Sequence, residues 1–196
     1  MHDTVQLTRC GLADEDVSPL FLGVFPADKV PIFFPSKNWC LVANRDPSYK
    51  GGQHWVAFGH KWGENLYFDS YGKKPSSHWK PWARFDKWKQ DSRDLQQMTS
   101  DVCGDWCLYW CIALARAPSD AKLSKLMHKF SEQDRETNDR HVFTVIHSRF
   151  PRILNSTKHF IGLDKLINDK LKSLIYPECL LTSQGCKKRT CIARCF

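Results

Sequence analysis

Apolar residues fall into two regimes along the chain. Up to about residue 75 they gather in short runs rich in β-branched and aromatic side chains: Leu20-Phe21-Leu22-Gly23-Val24-Phe25, Trp39-Cys40-Leu41-Val42-Ala43-Asn44, His54-Trp55-Val56-Ala57-Phe58-Gly59 and Leu66-Tyr67-Phe68-Asp69. Runs of this kind, bounded by turn residues, read as strands. A polar stretch over 44–52, with Pro47 and Gly51-Gly52, marks a turn before the third run, and Lys61-Trp62-Gly63-Glu64-Asn65 reads as a hairpin connection before the fourth. After residue 76 the spacing turns helical. Ser76 and Ser77 ahead of Pro81 suit a helix start, and that helix is expected to reach about Asp91. Residues 103–116 form a strongly apolar helix, while 123–130, 142–150 and 163–174 are amphipathic candidates. Strands first and helices afterwards is the α+β pattern, a small mixed or antiparallel sheet with a helical block.

The 196 residues, 42% hydrophobic and 26% charged, describe ordinary globular material, enough to bury a core without disulfides. No apolar run is long enough to span a membrane, and the polar start Met1-His2-Asp3-Thr4 lacks a signal-like apolar stretch. A soluble, intracellular monomer is therefore expected. Charge changes this picture in one respect. Residues 1–139 hold 18 Lys+Arg and 18 Asp+Glu, whereas residues 140–196 hold 11 Lys+Arg against Asp164, Asp169 and Glu178, so the whole net charge of +8 lies there. Such asymmetry points to a polyanionic partner or to a solvated basic face. A main domain over 1–176 and a Cys-rich basic tail over 177–196 are expected.

Nine cysteines is an odd number, and a disulfide framework is not expected inside a cell. Cys103 stands where the polar stretch before it gives way to a helix, and the positive end of a helix dipole favours thiolate and lowers a thiol's pKa. Gly104 allows backbone to pack close to such a centre. Cys103 is thus a candidate nucleophile, with buried filler as the alternative. His54 opens a strand and could act as general base, or be a half-exposed structural histidine. Asp69 ends the next strand; a hairpin makes it a cross-strand neighbour of His54, able to hold the imidazole tautomer, although Asp-Ser-x-Gly is also plain turn chemistry. Gln96 could offer its amide to an oxyanion beside the backbone N–H of Cys103.

In the order His, Asp, Gln, Cys these residues resemble the adenains, the adenovirus maturation proteases, whose fold is shared with SUMO- and ubiquitin-like-specific cysteine proteases. The resemblance is carried by Phe21-Leu22-Gly23, by Gly51-Gly52-Gln53-His54-Trp55-Val56-Ala57-Phe58, by Tyr67-Phe68-Asp69-Ser70-Tyr71-Gly72, and by Gln96 through Ser100 to Cys103-Gly104 with Cys107 following. It covers about residues 20–116. It implies a viral cysteine endopeptidase with Cys103 as nucleophile, His54 as general base, Asp69 as orienting acid and Gln96 as oxyanion donor. It implies cleavage of virion precursor proteins at Gly-containing sites, DNA as activator, no cofactor required for the chemistry, and a location in the virion and host nucleus. Trp55 would cap a narrow cleft and, with Gly104, contact substrate. Asp at the acid position instead resembles the SUMO-protease version, and Gln97 fits that group's spacing, so removal of SUMO or ubiquitin-like proteins is the alternative activity. Adenains take a peptide activator through a cysteine between acid and nucleophile; residues 70–102 contain none.

Further features have bland and specific readings. Trp79, Trp82, Phe85 and Trp88, interleaved with basic residues, suit a core-facing helical stripe or a nucleic-acid surface. Cys107 and Cys111 share a helical stripe with Cys103 and read as buried small hydrophobes. Cys179, Cys186, Cys191 and Cys195 lack the paired spacing of zinc ribbons; a metal knuckle, redox pairs and free thiols all stay open. No metal ligand set is expected. A non-catalytic basic DNA- or virion-binding protein on the same fold is the remaining alternative.

Overall fold

The computed structural model describes residues 2–31, 37–75 and 88–155. The chain divides into one unit over Met1–Ile161 and a second over Gly162–Phe196. The second unit, the expected boundary at 176/177, the helix over 163–174, the tail cysteines and Trp79, Trp82 and Phe85 lie outside the described residues.

The molecule is α+β. Five strands, β1 (Phe21–Phe25), β2 (Trp39–Asn44), β3 (Trp55–Lys61), β4 (Glu64–Phe68) and β5 (Trp88–Asp91), form one sheet in sequence order. The inner pairs β2–β3 and β3–β4 are antiparallel and the outer pairs β1–β2 and β4–β5 parallel, so the sheet is mixed. The β3–β4 turn is tighter than the sequence predicts. Trp62 and Gly63 both take left-handed φ, 56° and 76°, and Lys61 already pairs with Glu64. A two-residue turn with positive φ matches the twist of the flanking strands, which longer connections do not enforce.

The expected helix over 76–91 is overturned at its far end. Residues 88–91 are strand β5, in parallel register with Asn65 through Phe68, and Trp88 packs edge-on to Phe58 of β3 at 5.4 Å. Aromatic spacing suggested a helix, but pairing along an open sheet edge and burial against Phe58 win over local periodicity.

Among the described residues the α-helices are α1 (Thr4–Ala13), α2 (Cys103–Arg116), α3 (Asp120–Met127), α4 (Arg135–Arg149) and α5 (Pro151–Leu154). α1 was not expected; a capping box of Asp3 and Gln6 starts it. α3 begins at Asp120 under a Ser119 cap, and α4 begins at Arg135 under Asp134, well ahead of the predicted 142, because its first turns are polar.

α2 is the central helix. Cys103, Trp106, Cys107, Trp110, Cys111 and Leu114 are all buried, and the helix packs against β3 on one side and α4 on the other. A helix apolar nearly all round belongs in an interior. Gly59 lets β3 approach it closely: a Cβ there would lie 2.6 Å from Leu114. Its last turn is held by Lys61, whose ammonium donates to the carbonyls of Leu114 at 2.7 Å, Ala115 at 2.9 Å and Ala117 at 2.8 Å. A cation there complements the negative end of the dipole. The fold thereby fixes where the other end of α2, at Cys103, meets the sheet.

Candidate active site

Strand register brings the acid and the base together. Asn44 pairs with Trp55 and Ala57 with Phe68. One residue beyond each register, Arg45 and His54 both reach Asp69 with their side chains. Arg45 N–H donates to the His54 carbonyl at 2.9 Å, so the β2–β3 ladder continues to this point.

Asp69 is fully buried and densely bonded. Its Oδ1 lies 2.8 Å from His54 Nε2 and accepts from the Tyr71 backbone N–H at 2.9 Å. Its Oδ2 pairs with the Arg45 guanidinium at 3.0 Å and with the Tyr67 hydroxyl at 3.4 Å. A carboxylate oxygen facing Nε2 makes that nitrogen the N–H donor and leaves the Nδ1 lone pair to accept a proton. Tyr71 stacks on the His54 ring with centroids 4.6 Å apart, holding it flat. The tight turn behind Asp69 needs Gly72, at φ 64°, where a Cβ would lie 2.3 Å from the Ser92 carbonyl oxygen.

The nucleophile candidate comes from the other layer. Cys103 opens α2, preceded by Val102, which offers no side-chain cap. The first intrahelical bond among these residues runs from Trp106 N–H to the Val102 carbonyl, so the N–H groups of Cys103, Gly104 and Asp105 precede the ladder. Burial pushes the Cys103 thiol above its ordinary value; the backbone N–H groups of Trp55, Gly104 and Cys103 itself pull the other way, while the charge of Asp105 adds to the rise. The expected lowering at the helix start does not prevail, because desolvation outweighs these backbone N–H contacts. The Trp55 contact places the sulfur beside the backbone that carries His54. Burial also raises the Tyr71 phenol to about 12, with the Cys103 charge the next cause, so Tyr71, His54 and Cys103 share one locality.

Trp55 does not cap an opening. Its indole is 5% exposed and donates to the His2 carbonyl at 3.1 Å, so it forms a wall rather than a lid. A cleft of about 460 Å³ runs along that wall, lined also by His2, Asn44, Asp46, Lys50 and Gly52. Gly104 is buried, and a Cβ there would sit 3.0 Å from Leu7 and 3.5 Å from Trp55. Its missing side chain serves helix packing, and only its backbone can face a substrate.

The two glutamines separate clearly. Gln96 is fully buried; its carbonyl accepts from Ser70 Oγ at 2.6 Å, and its amide nitrogen donates to the Ser100 carbonyl at 2.9 Å and hydroxyl at 3.1 Å. Gln97 is exposed. Asp139 of α4 fastens this loop, accepting from Ser100 Oγ at 2.6 Å, Gln97 N–H at 3.0 Å and Trp106 Nε1 at 2.7 Å. Arg45, Tyr71 and Asp139 were not anticipated from sequence. Cys107 and Cys111 are buried in the core, the latter against Cys40.

No protein-family model matches the chain, and no curated protein matches its sequence. Among the described residues no helix is long and apolar enough to cross a membrane.

Proposed function

We propose that the chain is a cysteine endopeptidase of the virion-maturation kind, on the fold of the adenain and SUMO-protease group, cutting precursor proteins at Gly-containing sites. The observation that carries this reading is the 2.8 Å contact between His54 Nε2 and fully buried Asp69, on the strand edge beside which Cys103 opens its helix. The shorter acid needs no compensation, since it already reaches the imidazole.

The chemistry follows from these roles. His54 Nδ1 takes the Cys103 proton as the sulfur attacks a substrate carbonyl, and the imidazolium is held by Asp69. The oxyanion settles against the N–H groups at the uncapped start of α2, with Gln96 adding its amide after exchanging Ser100 for the substrate. His54 then protonates the departing amine, and water releases the acyl group. Trp55, whose backbone N–H meets the Cys103 sulfur, joins the reacting centre to the cleft along its indole, which takes substrate residues further from the scissile bond.

DNA is the proposed activator. Of the described basic residues in 140–155, Arg140 pairs with Glu136, and Arg149 pairs with Asp14. The unbalanced charge therefore falls on Arg152 and on 156–196, which holds 8 Lys+Arg against 3 acidic residues. Contacts of that kind bind phosphate without sequence preference and weaken steeply with salt. A virion and host-nucleus location accords with it. Asp69-Ser70 favours deconjugation of SUMO-like proteins as the second reading.

The test is cleavage by the full chain of a protein carrying a Gly-containing internal site, against cleavage of a SUMO conjugate, each with and without DNA. Internal cleavage that rises with DNA and falls with salt supports maturation-type proteolysis. Selective release of SUMO, indifferent to DNA, would replace it with the deconjugating reading.

A further inference from the structure

Outside the triad, three side chains from three separate elements converge on one point. His2 precedes α1, Asp105 sits in the first turn of α2, and His147 lies near the end of α4. Asp105 Oδ1 is 2.9 Å from His2 Nε2 and 3.4 Å from His147 Nε2, and all three atoms lie within 4.8 Å of one another. We infer that His2, Asp105 and His147 form a binding site for a divalent transition-metal cation of the Zn²⁺ class.

The donor set suits that ion. Two imidazoles and one carboxylate are borderline ligands that favour Zn²⁺ over the harder Mg²⁺ and Ca²⁺. Metal bonds of about 2.0–2.2 Å place tetrahedral ligand atoms roughly 3.3–3.5 Å apart. The 3.4 Å separation matches that spacing and the 2.9 Å one falls short of it, so a side-chain shift of a few tenths of an ångström at His2 brings the set to tetrahedral spacing and leaves a fourth position for water.

A hydrogen-bonded cluster explains the arrangement less well. His147 Nε2 is shielded from solvent and has no hydrogen-bond partner, although it points at the carboxylate that His2 already occupies. A buried polar atom left unpaired is costly, and a cation between the three groups satisfies His2, Asp105 and His147 together. Each ligand is also held from behind. Phe143, one turn earlier on α4, stacks on the His147 ring at 3.7 Å. The Trp55 indole fixes the His2 carbonyl, and Asp105 is 2% exposed on a rigid helix. Supporting contacts of this kind orient metal ligands. Because His2, Asp3 and Thr4 line the cleft along Trp55, the bound ion would set one wall of that cleft. The site stands on its own geometry, whether or not the chain is a protease.

The test titrates the chelator-treated full chain with Co²⁺ and then Zn²⁺, comparing wild type with His147→Gln and with the His2→Gln/His147→Gln double variant. The expected result is one Co²⁺ per chain, with visible absorption of a nitrogen–oxygen site and no sulfur-to-cobalt charge-transfer band. Zn²⁺ should displace it and raise the melting temperature of the wild type. The double variant should lose at least about 100-fold in affinity, the upper end of what supporting-residue changes cost. A chain with Cys179, Cys186, Cys191 and Cys195 changed to Ser should bind as the wild type does. Protection of His2 and His147 from diethyl pyrocarbonate by Zn²⁺ gives a readout on wild type alone, independent of how the variants fold. Absence of binding, binding unchanged in the double variant, binding lost with the four serines, or no protection of the two histidines would overturn the assignment.

Discussion

On the sheet side of the site Asp69 accepts from Arg45, His54 and the Tyr71 backbone at 2.8–3.0 Å, and the imidazole is clamped by a stacked ring. On the helix side the Cys103 thiol is shifted upward by burial, and Gln96 has its amide nitrogen turned to Ser100. The proposed base is thus held in place by its partners, while the proposed nucleophile and oxyanion donor sit in arrangements that other contacts satisfy. The difference has a simple origin. Strand pairing sets His54 and Asp69 through a ladder of backbone bonds, whereas the loop over 96–101 is held by Asp139 and can trade one hydrogen bond for another without disturbing the sheet.

The widest separation of the two sides comes from the reacting groups. Cys103→Ala should remove at least about 10⁴-fold in kcat/KM, as loss of a triad nucleophile does, with the melting temperature nearly unchanged. Asp69→Asn should lower kcat by roughly 10³–10⁴-fold by presenting the wrong tautomer, and it should also destabilise the fold, because Arg45 keeps its charge without a partner. Steady-state kinetics beside thermal melts distinguish these.

A smaller effect tests the helix side. Gln96→Ala should cost about 10²-fold in kcat, and about 2 kcal/mol of stability because Ser70 and Ser100 lose partners. Gln97→Ala, at an exposed position, should change either quantity by no more than about 0.5 kcal/mol, or roughly twofold. Equal losses in both variants would remove the assignment of Gln96.

Two pH effects sharpen the contrast further. Iodoacetamide should alkylate Cys103 in the free protein more slowly at neutral pH than an ordinary thiol, and the rate should climb with pH past the usual thiol range. Mass spectrometry of the modified peptide reads it. The second concerns the whole fold. Burial raises Cys10 to about 12 and raises Cys103 and Cys107, and a hydrogen bond with Cys40 together with burial raises Cys111. Between the ordinary and the shifted values the folded protein holds more protons than the unfolded chain. Stability from these thiols is therefore full below about pH 9 and falls as pH rises through the shifted values, which urea melts across that range will show.

The pairing of His54 with Asp69 is legible in the sequence because a hairpin makes them neighbours, and the helix start at Cys103 because a polar stretch ends there. Arg45 is not, since it sits in a polar turn and only the pairing of Asn44 with Trp55 carries it to Asp69. α1 could have been found from Asp3 and Gln6, which have capping-box spacing ahead of a weakly apolar stretch. β5 could not, because Trp88 repeats at helical spacing and becomes a strand only by pairing with β4. His2, Asp105 and His147 have no spacing at all that links them, and only the packing of α1, α2 and α4 brings them together.

The central claim is that His54 activates Cys103. It is tested most directly by labelling the full chain with a peptide vinyl sulfone ending in Gly-Gly, comparing wild type with His54→Ala and locating the adduct by mass spectrometry. The account predicts one adduct, on Cys103, formed rapidly in wild type and at least about 10²-fold more slowly without the imidazole. Equal labelling of both proteins, or modification spread over the other cysteines, would contradict it.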